Sequence, residues 1–574
     1  MSIQPAPIRQ EIQVRFPDGQ AFNAPRGTTV LQFMEKAKPQ ANGHIVAALV
    51  NKKLRELGVP LKKDSKIAPV TIASSDGMRI YRRSLSFLMI VAARHCFPEQ
   101  TIEVKHSMPF GGYYCERSDR APFSSKALQM LKDEMSRIVA GALPIRKVEV
   151  PLDDALALFR GSGDIEKAAL FTRRRKDYLT LYELDGILDY FHGFMVPNSS
   201  YLAYFDLHLY GNGFILHFPR KQNPDGKLLP FEDETRLARV FQEYGQWLKI
   251  MGVSGVAALN DAIRNGRLRE IILVAEAFHQ QQLSKIANEI TQQRPGVILI
   301  SGPTSAGKTT FSKRLAIQLL AKGIFPITMG MDNYFVNRDQ TPRDEKGEYN
   351  FEALEAVDVP LFRNHLKALL NGETITQPRY NFHTGLREEG DPLYISNEHV
   401  IIIEGIHGLN PKVVEGVPPE AVYRIFISAF TQLNLDKHNR VPTTDTRLLR
   451  RIVRDAEYRG YTAADTIKRW LSVRRGEKRY IFPNQQYANV FFNSALVYEL
   501  SVLKRLAFPL LLQVEPGTPE RVEANRLIAF LQWFDPIPKD SLGCIPNDSI
   551  LREFVGDSVL ETYEPMGQIP DYVG

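Results

Sequence analysis

Hydrophobic residues alternate with polar ones at Ile12, Val14 and Phe16, a period of two that predicts a strand, and Pro17-Asp18-Gly19-Gln20 supplies the turn that follows. Thr28-Thr29 precede Val30-Leu31-Gln32-Phe33-Met34, the start of a short helix. Ile45–Val50 and Ile67–Ile72 predict further strands, so the first region is a small α+β unit with a half-buried sheet. Next, apolar positions at Leu85, Leu88, Met89, Ala92 and Ala93 recur at helical spacing and stop at Phe97-Pro98. Ile102–Val104 and Tyr113-Tyr114 predict strands, and Lys126–Ala140 an amphipathic helix. Residues 231–294 are helical by periodicity and polar in balance, as expected of a connector. Beyond them lie three strand-like runs, Val297–Ile300, Ile327–Met331 and Val400–Ile403. The first and third are wholly apolar, as in parallel strands covered on both faces.

A chain of 574 residues is long enough for several domains, and 44% hydrophobic with 24% charged residues excludes wholesale disorder. Lys+Arg at 72 against Asp+Glu at 65 leaves +7, an excess that permits an anionic ligand without marking a nucleic-acid binder. Three distant cysteines, Cys96, Cys115 and Cys544, argue against a disulfide framework or a cysteine zinc site and fit a reducing cytoplasm. Met1–Arg9 lacks the apolar core of a signal peptide, and no apolar stretch is long enough for a bilayer. A cytoplasmic protein without a membrane partner is expected.

The chemistry is concentrated after residue 296. Val297–Ile300 leads into Gly302-Pro303-Thr304-Ser305-Ala306-Gly307-Lys308-Thr309, and a helical pattern runs on from Thr310 to Ala321. In a strand, G-x-x-x-x-G-K-[ST], helix order, backbone N–H groups converge on a phosphate and the helix N-terminus adds its positive end. Lys308 is placed to neutralise the β- and γ-phosphates of ATP, and Thr309 to bind Mg²⁺. The second strand delivers Asp332-Asn333-Tyr334-Phe335 to the ligand crevice, where Asp332 could take the proton of an attacking hydroxyl. The third ends in Glu404, an acid closing a buried strand and so a metal-holding candidate, while His407 reads as a packed or hydrogen-bonded histidine. Arg447, Arg450, Arg451 and Arg454 share the polar side of a helix whose apolar face is Leu448, Leu449, Ile452 and Val453, which predicts a cationic lid over phosphates.

These segments together resemble the uridine kinase/phosphoribulokinase family, and within it the nucleoside kinases, from Gly296 to about Gln513. The resemblance implies that residues 302–309 with Thr310 and Arg451 bind ATP, and that Thr309 and Glu404 hold Mg²⁺. It further implies that Asp332, with Lys308, Arg450 and Arg454, carries catalysis, and that Tyr334, Tyr380, Phe382, Arg387 and Arg447 join Asp332 around the acceptor. One departure weakens uridine as the acceptor: Gly385 stands where the uridine–cytidine kinases carry a base-reading histidine, and His383 is two positions away.

The front half carries two further resemblances. Val14–Gly19, Gly27-Thr28-Thr29 and Ala47–Asn51 are similar to the TGS module, a ubiquitin-like docking fold. The helix ending at Phe97-Pro98, with Pro109–Tyr114, resembles the second additional (editing) domain of threonyl-tRNA synthetase. Arg83 and Phe87 stand where that domain needs its paired histidines, and no Cys-x-x-x-His follows near Asp206-Leu207-His208, so an inactive scaffold is expected. The expected division is therefore 1–75 TGS-like, 76–230 editing-domain-like, 231–294 helical connector, 295–530 α/β P-loop kinase with a parallel sheet, and 531–574 a C-terminal tail.

The leading functional expectation is a kinase acting on the 5′-hydroxyl of uridine or cytidine, with a homo-oligomer implied by the resemblance. Two alternatives stay open: an RNA- or ribosome-associated ATPase, drawing on the front half and the run Arg173–Lys176, and a kinase of a sugar phosphate. The front modules are expected to sense a ligand or RNA and to bias the lid through residues 231–294.

Overall fold

The computed structural model describes residues 10–172, 176–231, 235–343, 347, 349–381, 383–396, 398–431 and 433–565. Phe382 and Arg173–Arg175, singled out above, lie outside the described residues.

The back half is organised by a parallel sheet: β1 (Val297–Ser301), β2 (Phe325–Thr328), β3 (His399–Glu404), β4 (Val422–Ser428) and β5 (Val490–Asn493), in the order β2-β3-β1-β4-β5. Every residue of β1 is buried, because helices cover both faces. Each Ile, Leu or Val taken out of water there contributes roughly 1.5–3 kcal/mol. The register aligns Ile300 with Glu404, so β1 and β3 end side by side, and their loops open onto the same crevice. The second strand is shorter than its sequence pattern: it ends at Thr328, and Met331–Tyr334 forms a 3-10 turn that carries Asp332.

Residues 235–293 form three helices, Thr235–Ile250, Val256–Arg264 and Leu268–Gln293. Their inner residues, among them Leu259, Ile271, Ile272, Ile286 and Ile290, join the core that contains Ile298, Ile300 and Phe311 of the sheet and the P-loop helix. The segment expected to be a connector is thus packed into the core of the parallel-sheet half. Likewise, the segment set apart as a tail is no solvated appendage between Asp535 and Glu564: Ile550, Leu551 and Phe554 are buried in that same core.

The front half contains mixed and antiparallel sheets. Glu11–Arg15, Ala21–Pro25, Ile45–Val50, Lys53–Arg55 and Ser65–Thr71 form a five-stranded mixed sheet with helix Val30–Ala37 against it. Thr29 and Gln32 cap that helix reciprocally, the arrangement its Thr-Thr start predicts, a cap type that stabilises by about 1 kcal/mol. Helix Ser75–Cys96 then packs its apolar face on the sheet built from Ile102–Met108, Gly112–Arg117, Asp206–Tyr210 and Gly213–His217.

A loop of the back half, around Lys437–Asn439, seats the two halves together. Val104 donates its N–H to Lys437 O at 2.9 Å, and His192 donates its N–H to Asn439 Oδ1 at 2.9 Å. Beneath them Lys167 Nζ meets Asp189 Oδ1 at 2.5 Å, and His438 Nδ1 meets Asp189 Oδ2 at 2.7 Å, all three side chains buried. No helix among the described residues is long and apolar enough to cross a membrane.

Candidate functional site

The phosphate-loop sequence forms the strand–loop–helix that its spacing predicts. Gly307 sits at φ +85° as the N-cap of helix Lys308–Leu320, a backbone conformation that suits glycine. Lys308 and Thr309 open the helix, so their side chains leave from its positive end. Thr309 Oγ1 donates to Glu404 Oε1 at 3.2 Å, which unites the ends of β1 and β3. Burial raises the Glu404 carboxyl above its ordinary range, against the pull of Lys308. A hydroxyl beside a carboxylate at this place is a hard oxygen donor set, and it fits Mg²⁺.

Lys308 is itself pushed down by burial, opposed by Glu404 and Glu553. Asp332 feels Lys308 as well: burial raises its carboxyl and the ammonium draws it back. The crevice therefore holds one lysine among carboxylates. A carboxylate that sequence reading passed over belongs with them. Glu352 is pushed up to about 7 by burial, against Arg451 and Lys308, and a side chain at Gly476 would run into it. Its only signal in the sequence was an acid next to Asn350-Phe351 in a loop without periodicity.

The arginine helix spans Thr443–Arg459, as predicted, but most of it is buried. Arg447 donates Nε to Thr304 O at 2.9 Å and pairs with Glu477. Arg450 is fully buried, donating to Ser305 O at 3.3 Å, Glu499 Oε2 at 2.6 Å and Ser494 O at 2.7 Å. Both thus grip carbonyls of the P-loop from behind, and Glu477 Oε1 accepts the Thr304 N–H at 3.1 Å. Arg451 and Arg454 remain partly exposed, the first on Asp455 at 3.1 Å and the second on Glu553 at 3.2 Å. Glu553, from the C-terminal segment, also accepts from Thr310 Oγ1 at 3.1 Å, and Lys313 Nζ donates to Leu560 O at 2.8 Å. Nothing in the composition of residues 535–561 signalled this; only the apolar trio Ile550, Leu551 and Phe554 could have.

The expected acceptor residues divide. Tyr380 is buried on the hairpin Ile375–Asn381/Leu386–Leu393, its ring edge-on to Phe335 at 5.5 Å, and Arg387 donates Nη1 to Asp358 Oδ2 at 2.8 Å. Tyr334 points into the core instead, its hydroxyl 3.1 Å from His365 Nδ1 and its ring against Phe362. Gly385 has φ +76°, and a Cβ there would meet Arg338 at 2.7–2.8 Å, so a histidine at this turn position would be strained. His383 is exposed on the same turn. His407 is buried beside Tyr480, and burial lowers it to about 4. In the front half, Arg83 donates Nη1 to Phe194 O at 2.7 Å and Phe87 is wholly buried.

The profile of the Phosphoribulokinase / Uridine kinase family matches residues 297–501. Uridine kinase of Halobacterium salinarum (strain ATCC 700922 / JCM 11081 / NRC-1) is 30% identical over 193 residues, 33% of this chain and 76% of that protein. The chain belongs to this family. The matched segment contains the P-loop, Asp332, Glu404 and the arginine helix. A solved structure of "a Possible Uridine Kinase from Bacillus stearothermophilus" is 21% identical and covers 37% of this chain and 98% of its own, with a TM-score of 0.23. A different part of the kinase-family chain is similar to threonine–tRNA ligase of Geobacter sp. (strain M21), 28% identical over 197 residues, 34% of this chain and 31% of that protein. The chain spans about a third of the length of the threonine–tRNA ligases it matches.

Proposed function

We propose that the chain is an ATP-dependent kinase that transfers the γ-phosphate to the 5′-hydroxyl of a nucleoside, uridine or cytidine. The observation that carries this reading is the convergence of Lys308, Thr309, Glu404 and Asp332 at the carboxyl ends of β1, β2 and β3. Thr309 and Glu404 would hold Mg²⁺, which when bound offsets charge on the β- and γ-phosphates. Residues 302–309 and Thr310 surround the phosphates, with N–H groups supplied by positions other than Pro303, which has none, and Thr304, whose N–H is held by Glu477; Lys308 balances the charge that moves during transfer.

Asp332 takes the proton of the acceptor hydroxyl. Burial makes it a stronger base than an exposed aspartate, and its place beside Lys308 puts that base next to the phosphate end. Tyr380, Phe382 and Arg387 bound the acceptor, and Glu352 accepts a hydrogen bond from one of its sugar hydroxyls. Arg451 and Arg454, still reachable from the crevice, supply the cations of the lid. Arg447 and Arg450 act by bracing the loop that grips ATP.

The front half acts as a docking unit of TGS and editing-domain ancestry, with RNA contact as its expected use, and the protein works in the cytoplasm. The deciding assay is purified chain with Mg-ATP and a panel of nucleosides and sugar phosphates, scored for ADP and phosphorylated product. Product from uridine or cytidine supports the reading. Product from a sugar phosphate alone replaces the acceptor, and no phosphorylated product from any acceptor rejects the kinase.

A further inference from the structure

A cavity of about 900 Å³ lies between the two halves of the chain. One wall is helix Ser75–Cys96 with the segment at Arg220 and Lys221; the facing wall is helix Ala463–Gly476 and the π-turn Glu477–Ile481 that continues it. Its described lining residues include none of the P-loop positions 302–309, nor Asp332, Glu404 or Tyr380. It is a separate place from the kinase crevice.

Charge is what sets this cavity apart. Eleven Lys and Arg against four Asp and Glu line it, among the described residues. Three of those acids are already engaged. Asp76 and Glu523 hold Arg79 at 2.6 and 2.8 Å, while Asp445 and Glu523 hold Arg526 at 2.6 and 2.7 Å. Glu520 is the fourth, in the first turn of helix Pro519–Leu531.

Four cations from opposite walls face one another: Arg82 and Lys221 from the front half, Arg474 and Lys478 from the other. Arg82 lies over the Phe218 ring at 4.7 Å, and its Nε has no hydrogen-bond partner. Lys221 Nζ donates to Ser75 Oγ at 3.1 Å, a neutral partner. Arg474 alone has a carboxylate, Glu477 Oε2 at 2.6 Å. Burial among these neighbours pushes Lys478 down to about 7, and Lys221 is lowered for the same reasons. Arg82, Lys221 and Lys478 have no salt bridge to a carboxylate among the described residues; like charges gathered in this way are costly, and a bound polyanion removes that cost. Aromatic faces complete the lining, with Tyr113 beneath Arg440 at 4.9 Å and Trp470 opposite.

We propose that this cavity binds a small polyphosphate-bearing ligand of the nucleotide class, its phosphates bridging Arg82 and Lys221 on one wall and Arg474 and Lys478 on the other. The volume suits a small molecule, within the ~300–1,000 Å³ of ordinary ligand sites. Two facing cationic walls suit several phosphates better than one.

Occupancy would be felt at the P-loop. Glu477 takes Arg474 on Oε2 while Oε1 accepts the Thr304 N–H at 3.1 Å, and Arg447 joins Glu477 to Thr304 O at 2.9 Å. An anion that draws Arg474 away changes the hold on the loop, and by linkage ATP must change the anion's affinity by the same factor. This coupling rests on the kinase reading; binding in the cavity does not.

The test uses the full chain with its P-loop saturated by a non-hydrolysable Mg-ATP analogue, titrated with inorganic tripolyphosphate by calorimetry. One-to-one binding is expected, weakened at least tenfold in R82S/K221S, with the analogue's own affinity in the absence of tripolyphosphate unchanged. In the unaltered protein, tripolyphosphate should also protect Lys221 and Lys478 from acetic anhydride, read by mass spectrometry. This second readout decides the matter if the double variant does not fold. No binding, equal binding in a folded variant, or unprotected lysines would overturn the site. So would retention of a 5′-phosphorylated RNA but of neither tripolyphosphate nor a nucleoside triphosphate. If the analogue fails to bind, the kinase reading fails on its own, and tripolyphosphate added alone still judges the cavity.

Discussion

Thr309 Oγ1 donates to Glu404 Oε1 at 3.2 Å across 95 residues of sequence, and this single contact closes the crevice between the first and third strands of the kinase sheet. If the pair holds Mg²⁺, removing either partner should act on the metal before it acts on ATP. Thr309→Val and Glu404→Gln are each expected to raise the Mg²⁺ concentration for half-maximal turnover by about tenfold or more, since losing a group that holds or orients a metal commonly costs about 10–100-fold in affinity. A Mg²⁺ titration of ADP release checks this, and an unchanged midpoint in both variants would take the metal away from the pair.

Asp332 gives a prediction in pH. Because burial raises its carboxyl, it loses its proton only above the ordinary aspartate range, and turnover should rise with pH through that point. Asp332→Asn should lower kcat by about 10² to 10⁴ while leaving the affinity for ATP in place. Stopped-flow turnover with a parallel nucleotide-binding titration separates the two quantities. Equal losses in both would mean that Asp332 shapes the nucleotide site rather than taking a proton.

Glu352, lifted to about 7, should make acceptor binding depend on pH near neutrality. Its carboxylate form predominates above that value, so the acceptor KM is expected to fall as pH rises from 6 to 8. In Glu352→Gln that slope should vanish at similar kcat. Initial rates across the pH range decide it, and a slope retained in the variant assigns the titration elsewhere.

Gly385 offers a test of base reading. Glycine's left-handed φ of +76° and the nearby Arg338 make Gly385→His strained, at roughly 1–3 kcal/mol. The variant should melt earlier and show no gain in preference for uridine over a purine nucleoside. Thermal unfolding and competition kinetics check both, and a gain in pyrimidine preference would show that the turn can re-form.

Buried Asp189 ties the halves by holding Lys167 of the front half and His438 across the seam, so Asp189→Ala should destabilise by up to about 3–5 kcal/mol by removing the nearest of the carboxylates around the ammonium. Burial raises the Asp189 carboxyl, but Lys167 and His438 outweigh it and hold it below the ordinary range. Its stabilisation is complete above the ordinary carboxylate pKa and is lost as pH falls through the depressed folded value. For Lys167, burial lowers the ammonium and Asp189 with Asp436 outweighs it, so that stabilisation persists at neutral pH and is lost only as pH rises through the raised value. Denaturant unfolding at several pH values should show the acid loss in the parent chain and a smaller one in Asp189→Ala.

What could be read from the chain alone was local. A run such as Val297–Ile300 followed by G-x-x-x-x-G-K-T states its own strand, turn and helix, because backbone sterics and periodicity act over a few residues. The same holds for the Thr29 cap, the helix that opens at Thr443, and the acids that follow strand ends. What tertiary structure decided was which distant groups share space. Whether an arginine on a polar helix face meets solvent, a phosphate or a carbonyl depends on what packs against that face. Arg447 and Arg450 therefore turned out to brace Thr304 and Ser305. Residues 235–293 and 535–561, polar or proline-rich by composition, became kinase core because a few apolar side chains in each find the uncovered flank of the sheet. The cationic cavity is of the same kind: its two walls come from segments more than two hundred residues apart, and charge summed along a chain says nothing of charge gathered in space.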